Sequence, residues 1–304
     1  MKAKRSPVLA GCVPAAGGFF LCPSVRPGGG PLFTASSLGL VLRSLVLVLV
    51  CFLWTGCEGD RSGHLLKKAN DEWVKGNHSQ AVELFKEILE KFPREQSAEE
   101  AMFRLGELHQ YSLGDSDQAV MHYQDLLKSH PGSAFAYDAQ KNIADILEFS
   151  SKNLDQAIIE YQKLIFNFNR AEENSDHQYR IASIYLKKQE YDQALVEFGT
   201  LIDEYPESPW QEDSRFKVAE LLYTLARCQE VQALHGDFVK KYPKSRFLPE
   251  LDFVVASCLE DEGRLKEAYE KLKTLEGRYS YPAMLEMKMA GLEKRIAKRG
   301  KKKK

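Results

Sequence analysis

The sequence predicts an all-α protein, a superhelical solenoid of about six helix hairpins, because it repeats itself at a fixed period. A small residue recurs at steps of 38, 38, 37, 37 and 37 residues. A large side chain, aromatic in most cases, follows four places later, which is one helical turn on and so on the same face. The small residues are Ala81, Ala119, Ala157, Ala194, Val231 and Ala268.

The ends of the second helices recur with the same period. An aromatic residue or histidine stands eleven places after each small residue, and four of the six units continue with proline. Because proline cannot continue a helix, it predicts the end of the second helix of each hairpin. The four prolines are Pro93, Pro131, Pro206 and Pro243, and Asn169 takes the place in the third unit.

A first helix is predicted upstream of each second helix, from the second unit onward. A large apolar residue is paired there with a small one, which lets the partner helix approach closely. The pairs are Leu105-Gly106, Ile143-Ala144, Ile181-Ala182, Val218-Ala219 and Val255-Ala256.

Local signals mark the turns and the helix starts. Gly76, Gly114 and Gly263 each lie five places before a small residue, where a tight turn with positive φ is predicted. Capping boxes are predicted at Ser97–Glu100 and Ser208–Gln211, the second with proline at the first helical position.

The stretch 181–185, followed by 191–194, Phe198 and Pro206, resembles the tetratricopeptide repeat in its small, aromatic and proline positions. The resemblance covers residues 63–293 and implies a solenoid whose concave side is lined mainly by the first helices. The period exceeds the usual value of about 34 residues, and the first-helix tryptophan is missing.

The links between units narrow this resemblance. Tyr205–Ser208 and Tyr242–Ser245 both read Tyr-Pro-x-Ser. With the longer period, they are similar to the envelope subgroup of these repeats, the BamD-like lipoproteins of outer-membrane assembly and the TolA-associated periplasmic coordinators. The resemblance implies a non-enzymatic scaffold that binds other envelope proteins.

The N-terminal region has the features of an export signal. Residues 1–57 contain five cations and no acid. The apolar stretch 44–54 suits the core of a signal peptide and is shorter than the roughly 20 residues that span a membrane. Thr55-Gly56-Cys57 resembles the lipobox of bacterial lipoproteins, which predicts a lipid on Cys57. An ordinary cleavage site or an uncleaved anchor is the alternative.

These signals divide the chain into five predicted segments. The outer membrane is favoured because Glu58, rather than aspartate, follows Cys57. The basic C-terminal tail is expected either to touch anionic lipid or to remain solvated. The segments are a disordered leader at 1–40, which is alternatively an incorrectly assigned start, a signal peptide at 41–56, a flexible lipidated tether at 57–63, the repeats at 64–293 and the basic tail at 294–304.

One row of first-helix residues is a candidate for binding partners. Its members lie two places before each large-small pair, and Tyr223 follows about two turns after Phe216. Such a row would grip an extended or helical segment, or it would pack within the repeats, as Trp73 and Trp210 are expected to do. The candidate residues are Phe103, Lys141, Tyr179, Phe216, Tyr223 and Phe253.

Cys228 and Cys258 are the two cysteines of the repeat region. If both lie in first helices, their repeat register separates them by roughly 10 Å of helical rise. A disulfide needs α-carbons within about 7 Å, so two buried thiols are predicted.

No motif points to catalysis, a cofactor or a metal. The seven histidines make no metal-binding spacing with a nearby acid, and no phosphate-binding or nucleophile motif occurs. A net charge of −1 and the export signal argue against nucleic acid. The predicted function is a membrane-tethered protein-binding scaffold. The alternatives are a periplasmic adaptor of cell-wall synthesis or division, and the repeat platform of a carbohydrate-active enzyme.

Overall fold

The computed structural model describes residues 58–168 and 170–302, and within these ranges the chain forms thirteen helices and no strand. Six helix hairpins follow one another, and each is called a unit here. The first helices of the units are α1 (Glu58–Val74), α3 (Gln96–Glu107), α5 (Ala136–Asp145), α7 (Ala171–Lys187), α9 (Gln211–Thr224) and α11 (Leu248–Asp261). The second helices are α2 (His78–Lys91), α4 (Ser116–Ser129), α6 (Leu154–Asn167), α8 (Tyr191–Glu204), α10 (Cys228–Lys241) and α12 (Leu265–Lys273), and α13 (Pro282–Lys302) closes the array.

The periodic small residues lie at the centre of each hairpin. All six have 0% of their surface exposed, which confirms the all-α solenoid that the period predicts. The paired helices of the second unit are in close contact at Gly106 of α3, where an added Cβ would overlap the ring of Tyr123 of α4. The large-small pairs therefore permit the close packing for which they were identified.

The second helices of the first five units end where the period predicts. The residue eleven places after each small residue is the C-cap, and its N–H donates to the carbonyl four residues earlier. The sixth unit differs, because α12 ends at Lys273 and a turn through Gly277 leads into α13. Leu285 and Leu292 of α13 are buried in the core cluster of the last two units.

The turn between the two helices takes a left-handed residue at the same place in all six units. Gly76, Gly114 and Gly263 have φ of 83°, 69° and 77°, as predicted. The equivalent positions in the other units carry residues with a Cβ and the same backbone conformation. These are Lys152, Gln189 and Ala226, at φ of 53°, 61° and 57°.

Two first helices end in a π-helical turn, at Leu108–Leu113 after α3 and at Ile146–Ser150 after α5. The N–H of Ser151 donates to the carbonyl of Ile146 at 2.9 Å, which spans five residues instead of four. The two 38-residue steps contain these turns, and the described first helices of the 37-residue steps contain none. The extra residue of the longer period is thus accommodated as a π-turn.

The capping box predicted at Ser97 is wrong. Helix α3 begins at Gln96, and Ser97 lies buried inside its first turn, with no hydrogen-bond partner for its hydroxyl. Glu95 precedes the helix and receives a hydrogen bond from the side chain of Ser62 in α1. A contact from a neighbouring helix, rather than the local box, holds this helix start.

The second box forms only in part. The hydroxyl of Ser208 accepts from the N–H of Trp210 at 3.1 Å, but α9 begins three residues later, at Gln211. The amide of Gln211 donates to the carbonyl of Tyr205 at 2.9 Å instead of returning to Ser208. Gln211 therefore satisfies the end of the preceding helix.

The segment 58–63, predicted as part of a flexible tether, is the first part of α1. Ser62 is buried, because it packs against the start of α3 through its bond to Glu95. The polar composition of this segment gave no indication of its contact with the second unit. The predicted leader, the signal peptide and Cys57 lie outside the described residues.

The basic C-terminal segment continues α13 as far as Lys302. Arg295 pairs with Glu260 of α11, and Lys288 pairs with the same carboxylate at 2.8 Å. Arg299 donates to the carbonyl of Gly263 at 2.9 Å. Part of the positive charge of the predicted tail therefore holds the last helix on the sixth unit.

Cys228 and Cys258 form a disulfide, so the prediction of two free thiols is wrong. Cys228 is the first residue of the second helix α10, and not part of a first helix. Successive helices of the solenoid run in opposite directions, so the start of α10 lies beside the last turn of α11. The two α-carbons are 5.3 Å apart, within the range that a disulfide spans.

Candidate protein-binding surface

Most aromatic members of the predicted row stack on an aromatic residue further along the chain. Phe103 lies on Phe135 and Phe216 on Phe247, with ring centroids 5.0 and 4.9 Å apart. Phe135 and Phe247 are the N-caps of the first helices of the next units. Phe103 and Phe216 are only 6% and 7% exposed, so these two side chains join consecutive units and offer little surface to a partner.

Tyr179 and Phe253 make the same kind of stack but remain partly exposed. Tyr179 lies 4.2 Å from Trp210, and Phe253 lies 4.6 Å from Tyr279, measured between ring centroids. The hydroxyl of Tyr179 also donates to Asp213 at 2.6 Å. Offset stacking of this kind adds about 0.5–1.5 kcal/mol beyond the burial of the rings. The row therefore contributes to the joints between units.

Trp73 and Trp210 were expected to be packing residues, and both make contacts between units. The indole N–H of Trp73 donates to Ser112 at 2.8 Å, and Trp73 packs against the core of the first unit. Trp210 donates to Asp176 while it stacks on Tyr179.

A second row on the first helices stays accessible, and we call it the apolar ladder. Its members lie eight places before the small residue of each unit, at the C-terminal end of the first helix. Tyr111 is 67% exposed and Phe149 is 51% exposed, and the others are half-buried. The apolar ladder consists of Trp73, Tyr111, Phe149, Leu186 and Tyr223, and Glu260 takes the sixth position.

The π-turns coincide with the exposed part of the apolar ladder. Tyr111 and Phe149 both lie within a π-helical turn, whereas Leu186 and Tyr223 lie in regular helix and are half-buried. Only Tyr223 of the apolar ladder was among the predicted residues. The period of the sequence contains the signal for the others, at the position eight places before each small residue.

Charged residues of the following unit border the exposed members of the apolar ladder. Arg180 and Lys187 lie over the ring of Phe149, at 5.3 and 5.4 Å from its centroid. Lys187 is also paired with the buried carboxylate of Glu148. Cations over an aromatic face add about 0.5–1 kcal/mol each at exposed sites.

The surroundings of Tyr111 and Tyr223 contain carboxylates. Partial burial, with the nearby carboxylates of Glu107 and Asp145, raises the pKa of Tyr111. Lys141, a predicted site residue, pairs with Asp145 at 2.8 Å and so lies at this edge of the apolar ladder. Burial, and then the charge of Asp261, raises the pKa of Tyr223. The surface is thus apolar along its centre and carries both signs of charge on its border.

An open depression of about 650 Å³ is lined by the second Tyr-Pro-x-Ser link, Tyr242–Ser245, and by residues around the start of α9. Its walls include Trp210 and Phe247, with Glu212 and Asp213 on one side and Lys244 and Arg246 on the other. Two of the rings that stack at the joints, Trp210 and Phe247, thus line it. None of the residues that line it belongs to the apolar ladder.

Two histidines of the second unit face each other, and three of their ring nitrogens, including Nε2 of His122, are buried without a hydrogen-bond partner. His109 and His122 have ring centroids 5.2 Å apart, and both ring nitrogens of His109 are buried without a partner. Burial lowers the pKa of His109. Burial, and then the neighbouring charge of His109, lowers the pKa of His122 to about 4.

Within the described ranges, no cluster of three or more histidine, cysteine, aspartate or glutamate side chains has the geometry of a metal site. None of the described helices has both the length and the apolar character needed to cross a bilayer. The apolar ladder and the depression at the second link are two described surfaces that are open to other molecules.

Comparison with known proteins agrees with the repeat architecture. Two tetratricopeptide repeat models match residues 66–110 and 100–133, and the family model YfiO, described as outer membrane lipoprotein, matches residues 171–300. A search of curated protein sequences finds no match.

Three solved structures are similar to this chain at low identity. The structure of Naa15/Naa10 bound to HypK-THB is 13% identical, with a TM-score of 0.51, over 79% of this chain and 35% of that chain. A tetratricopeptide repeat protein from Parabacteroides merdae is 18% identical, with a TM-score of 0.44, over 79% of this chain and 88% of that one. PilW, a widely conserved type IV pilus biogenesis factor, is 14% identical, with a TM-score of 0.42, over 74% of this chain and 97% of that chain.

At these identities the structural likeness concerns the fold alone. The YfiO match extends the similarity to residues 171–300, the part of the chain in which two links read Tyr-Pro-x-Ser. Residues 66–133 therefore match tetratricopeptide repeats, and residues 171–300 are similar to the YfiO outer membrane lipoproteins.

Proposed function

We propose that this protein is a scaffold that binds partner proteins during outer-membrane protein assembly, tethered to the membrane by a lipid on Cys57. The similarity of residues 171–300 to an outer membrane lipoprotein family supports the cellular context. The repeats support protein binding, because a solenoid offers an extended preformed surface.

The observation that carries the proposal is the exposed part of the apolar ladder. Tyr111 and Phe149 occupy equivalent positions in consecutive units and are exposed, whereas most other described aromatic residues of the repeats are buried or half-buried. Exposed aromatic residues are enriched at protein interfaces, because each buries a large area with few rotatable bonds. A preformed row also limits the entropy that is lost on association.

The border of the apolar ladder indicates which segment fits there. Lys141, Arg180 and Lys187 provide cations beside the rings, and Asp145 and Glu107 provide carboxylates. A partner segment with apolar side chains at regular spacing and acidic residues between them complements the part near Phe149. Such a segment is either extended or helical.

The tether rests on the sequence before residue 58. The short apolar stretch, the cation before it and the Thr-Gly-Cys sequence support export and a lipid on Cys57. The disulfide between Cys228 and Cys258 is consistent with an oxidising compartment such as the periplasm.

Site-specific crosslinking tests the binding surface. A photoreactive phenylalanine analogue is placed at Tyr111 or at Phe149, and Phe166 serves as the matched control. Phe166 is 91% exposed but lies on the second helix α6, outside the apolar ladder. We expect positions 111 and 149 to capture outer-membrane assembly components and barrel precursors, and position 166 to capture far less.

The identity of the captured proteins separates the alternatives. Capture of cell-wall synthesis enzymes would favour the periplasmic adaptor, and glycan-cleaving activity would favour the carbohydrate-active platform. Equal capture at all three positions would contradict the apolar ladder as the binding surface.

Fatty-acid labelling tests the tether. Cys57→Ala should abolish incorporation of a fatty-acid analogue and move the protein from the membrane fraction to the soluble fraction. Cys51→Ala, which changes the nearest other cysteine, is the control and should leave labelling unchanged. Persistent labelling of Cys57→Ala would overturn the lipid anchor.

A further inference from the structure

The disulfide between the last two units is highly asymmetric in its access to solvent. Cys258 is 0% exposed and lies in the largest core cluster, among Leu222, Val255 and Leu259. Cys228 packs against the edge of the same cluster and is only half-buried. A thiol or disulfide in solution can therefore reach only the Cys228 end of this bond.

The two cysteines also differ in their electrostatic surroundings. Cys228 is the first residue of α10, a helix of fourteen residues, whereas Cys258 lies near the end of α11. A helix N-terminus stabilises a thiolate, while apolar burial disfavours one. Access and electrostatics thus favour the same sulfur as the reactive one.

We propose that Cys228 is the exchange site through which this disulfide is introduced, by a protein or small-molecule disulfide donor of the envelope. The thiolate of Cys228 attacks one sulfur of the donor disulfide, forms a mixed disulfide and releases the other donor sulfur as a thiolate. Cys258 then loses its proton, attacks the sulfur of Cys228 and releases the second donor thiolate. The two cysteines lose two electrons, the donor disulfide gains them, and two protons pass to solvent.

The same asymmetry makes the completed bond hard to reduce. An external thiolate must attack the sulfur of Cys228, and the leaving group is then the buried sulfur of Cys258. A thiolate in an apolar core is a poor leaving group, because burial raises its pKa. The bond is therefore a lasting link between the fifth and sixth units. This inference does not depend on the proposed binding function.

The test uses the full chain and oxidised glutathione as the donor. Cys258→Ser leaves Cys228 without its resolving partner, and Cys228→Ser leaves only the buried thiol. We expect Cys258→Ser to accumulate glutathione on Cys228, and Cys228→Ser to react on the order of tenfold more slowly at Cys258. Tryptic peptides 228–240 and 247–264 separate the two positions for mass spectrometry.

A second measurement needs no substitution. Wild-type protein is reduced under native conditions and then pulsed with iodoacetamide, and circular dichroism confirms that its helices are retained. Cys228 should be alkylated first, and in concentrated urea the two cysteines should react at similar rates. Equal rates in the native protein, or faster reaction at Cys258, would overturn the proposal. Recovery of both peptides as free thiols from cell envelopes would also overturn it.

Discussion

The second and third units differ from the fifth and sixth in how they are held together. The second and third contain the π-turns, the exposed Tyr111 and Phe149, and two facing histidines with three buried nitrogens that lack a hydrogen-bond partner. The last two are joined by the disulfide and covered by α13. One repeat pattern thus supports two uses, a surface left open to other molecules and an end that is fastened.

Ion pairs strengthen the same contrast. In the sixth unit the carboxylate of Asp252 lies 2.7 Å from Nε2 of His235 and 2.6 Å from Nζ of Lys271. Burial raises the pKa of Asp252, but hydrogen bonds from His235 and Lys271 outweigh this effect. The pKa of Asp252 therefore lies below its usual value. A carboxylate that is half-buried therefore stays ionised and holds the helices of the last two units together.

Removal of the disulfide should have the largest effect on this contrast. Changing both Cys228 and Cys258 to serine removes a cross-link between positions 30 residues apart. Loop entropy predicts that the free energy of unfolding then falls by on the order of 3–4 kcal/mol. Urea unfolding should show this loss. Hydrogen exchange should show earlier opening of α10 to α13, with little change in α1 to α4, because each unit of a solenoid contacts mainly its neighbours. Uniformly faster exchange would contradict a local fastening.

Acid should weaken the second unit in particular. The pKa of His122 is about 4 in the folded chain, against about 6.5 when unfolded, so the unfolded chain binds more protons between these values. The stability contributed by the neutral ring is complete above pH about 6.5 and is lost as the pH falls toward about 4, by up to about 3 kcal/mol. Urea unfolding at several pH values measures this loss.

The surroundings of His122 set the size of that effect. His109 and Lys86 oppose its protonation, whereas Asp115 and Asp125 favour it. Changing His122 to glutamine removes the titrating group and should flatten the dependence on pH. If the stability of this variant depended on pH as steeply as that of the wild type, the sensitivity to acid would arise from groups other than His122.

Two glycines provide a matched pair for the close packing of the second unit. Gly106→Ala should destabilise the protein by about 1–3 kcal/mol, because the new Cβ overlaps the ring of Tyr123. Gly199 of α8 has nothing within 4 Å of an added Cβ, so Gly199→Ala should stabilise by about 0.5–1 kcal/mol. Thermal unfolding measures both, and effects of the same sign would contradict the packing argument.

The smallest effects are expected at the left-handed turns. Ala226→Gly should stabilise the fifth unit by about 1 kcal/mol, since glycine removes the strain of a Cβ at positive φ. Gly76→Ala should destabilise the first unit by a similar amount, about 1 kcal/mol, at the equivalent turn. Urea unfolding of the two variants compares them directly, and a loss of stability for Ala226→Gly would show that its side chain makes a compensating contact.

The periodic pattern predicted the helices and most of their ends, but only part of the candidate surface. Phe103 and Phe216 have the right spacing for a lining row, yet both are buried in stacks with rings that lie on the next links. Tyr111 and Phe149 repeat just as regularly and remain exposed. A period shows that positions are equivalent. It does not show which helix face the neighbouring unit will cover.

The sequence by itself determined the number of units, the buried small residue of each hairpin and the place where most second helices end. These depend on side-chain spacing along a helix and on the missing N–H of proline, both of which are local. Only the tertiary structure decided the disulfide, the stacked joints between units, and the left-handed turns at Lys152, Gln189 and Ala226. The disulfide and the joints depend on which residues the neighbouring helix brings within a few ångströms, and the spacing within one unit carries no record of that distance. The left-handed turns follow the hairpin connection that these units share with the three units that have glycine there.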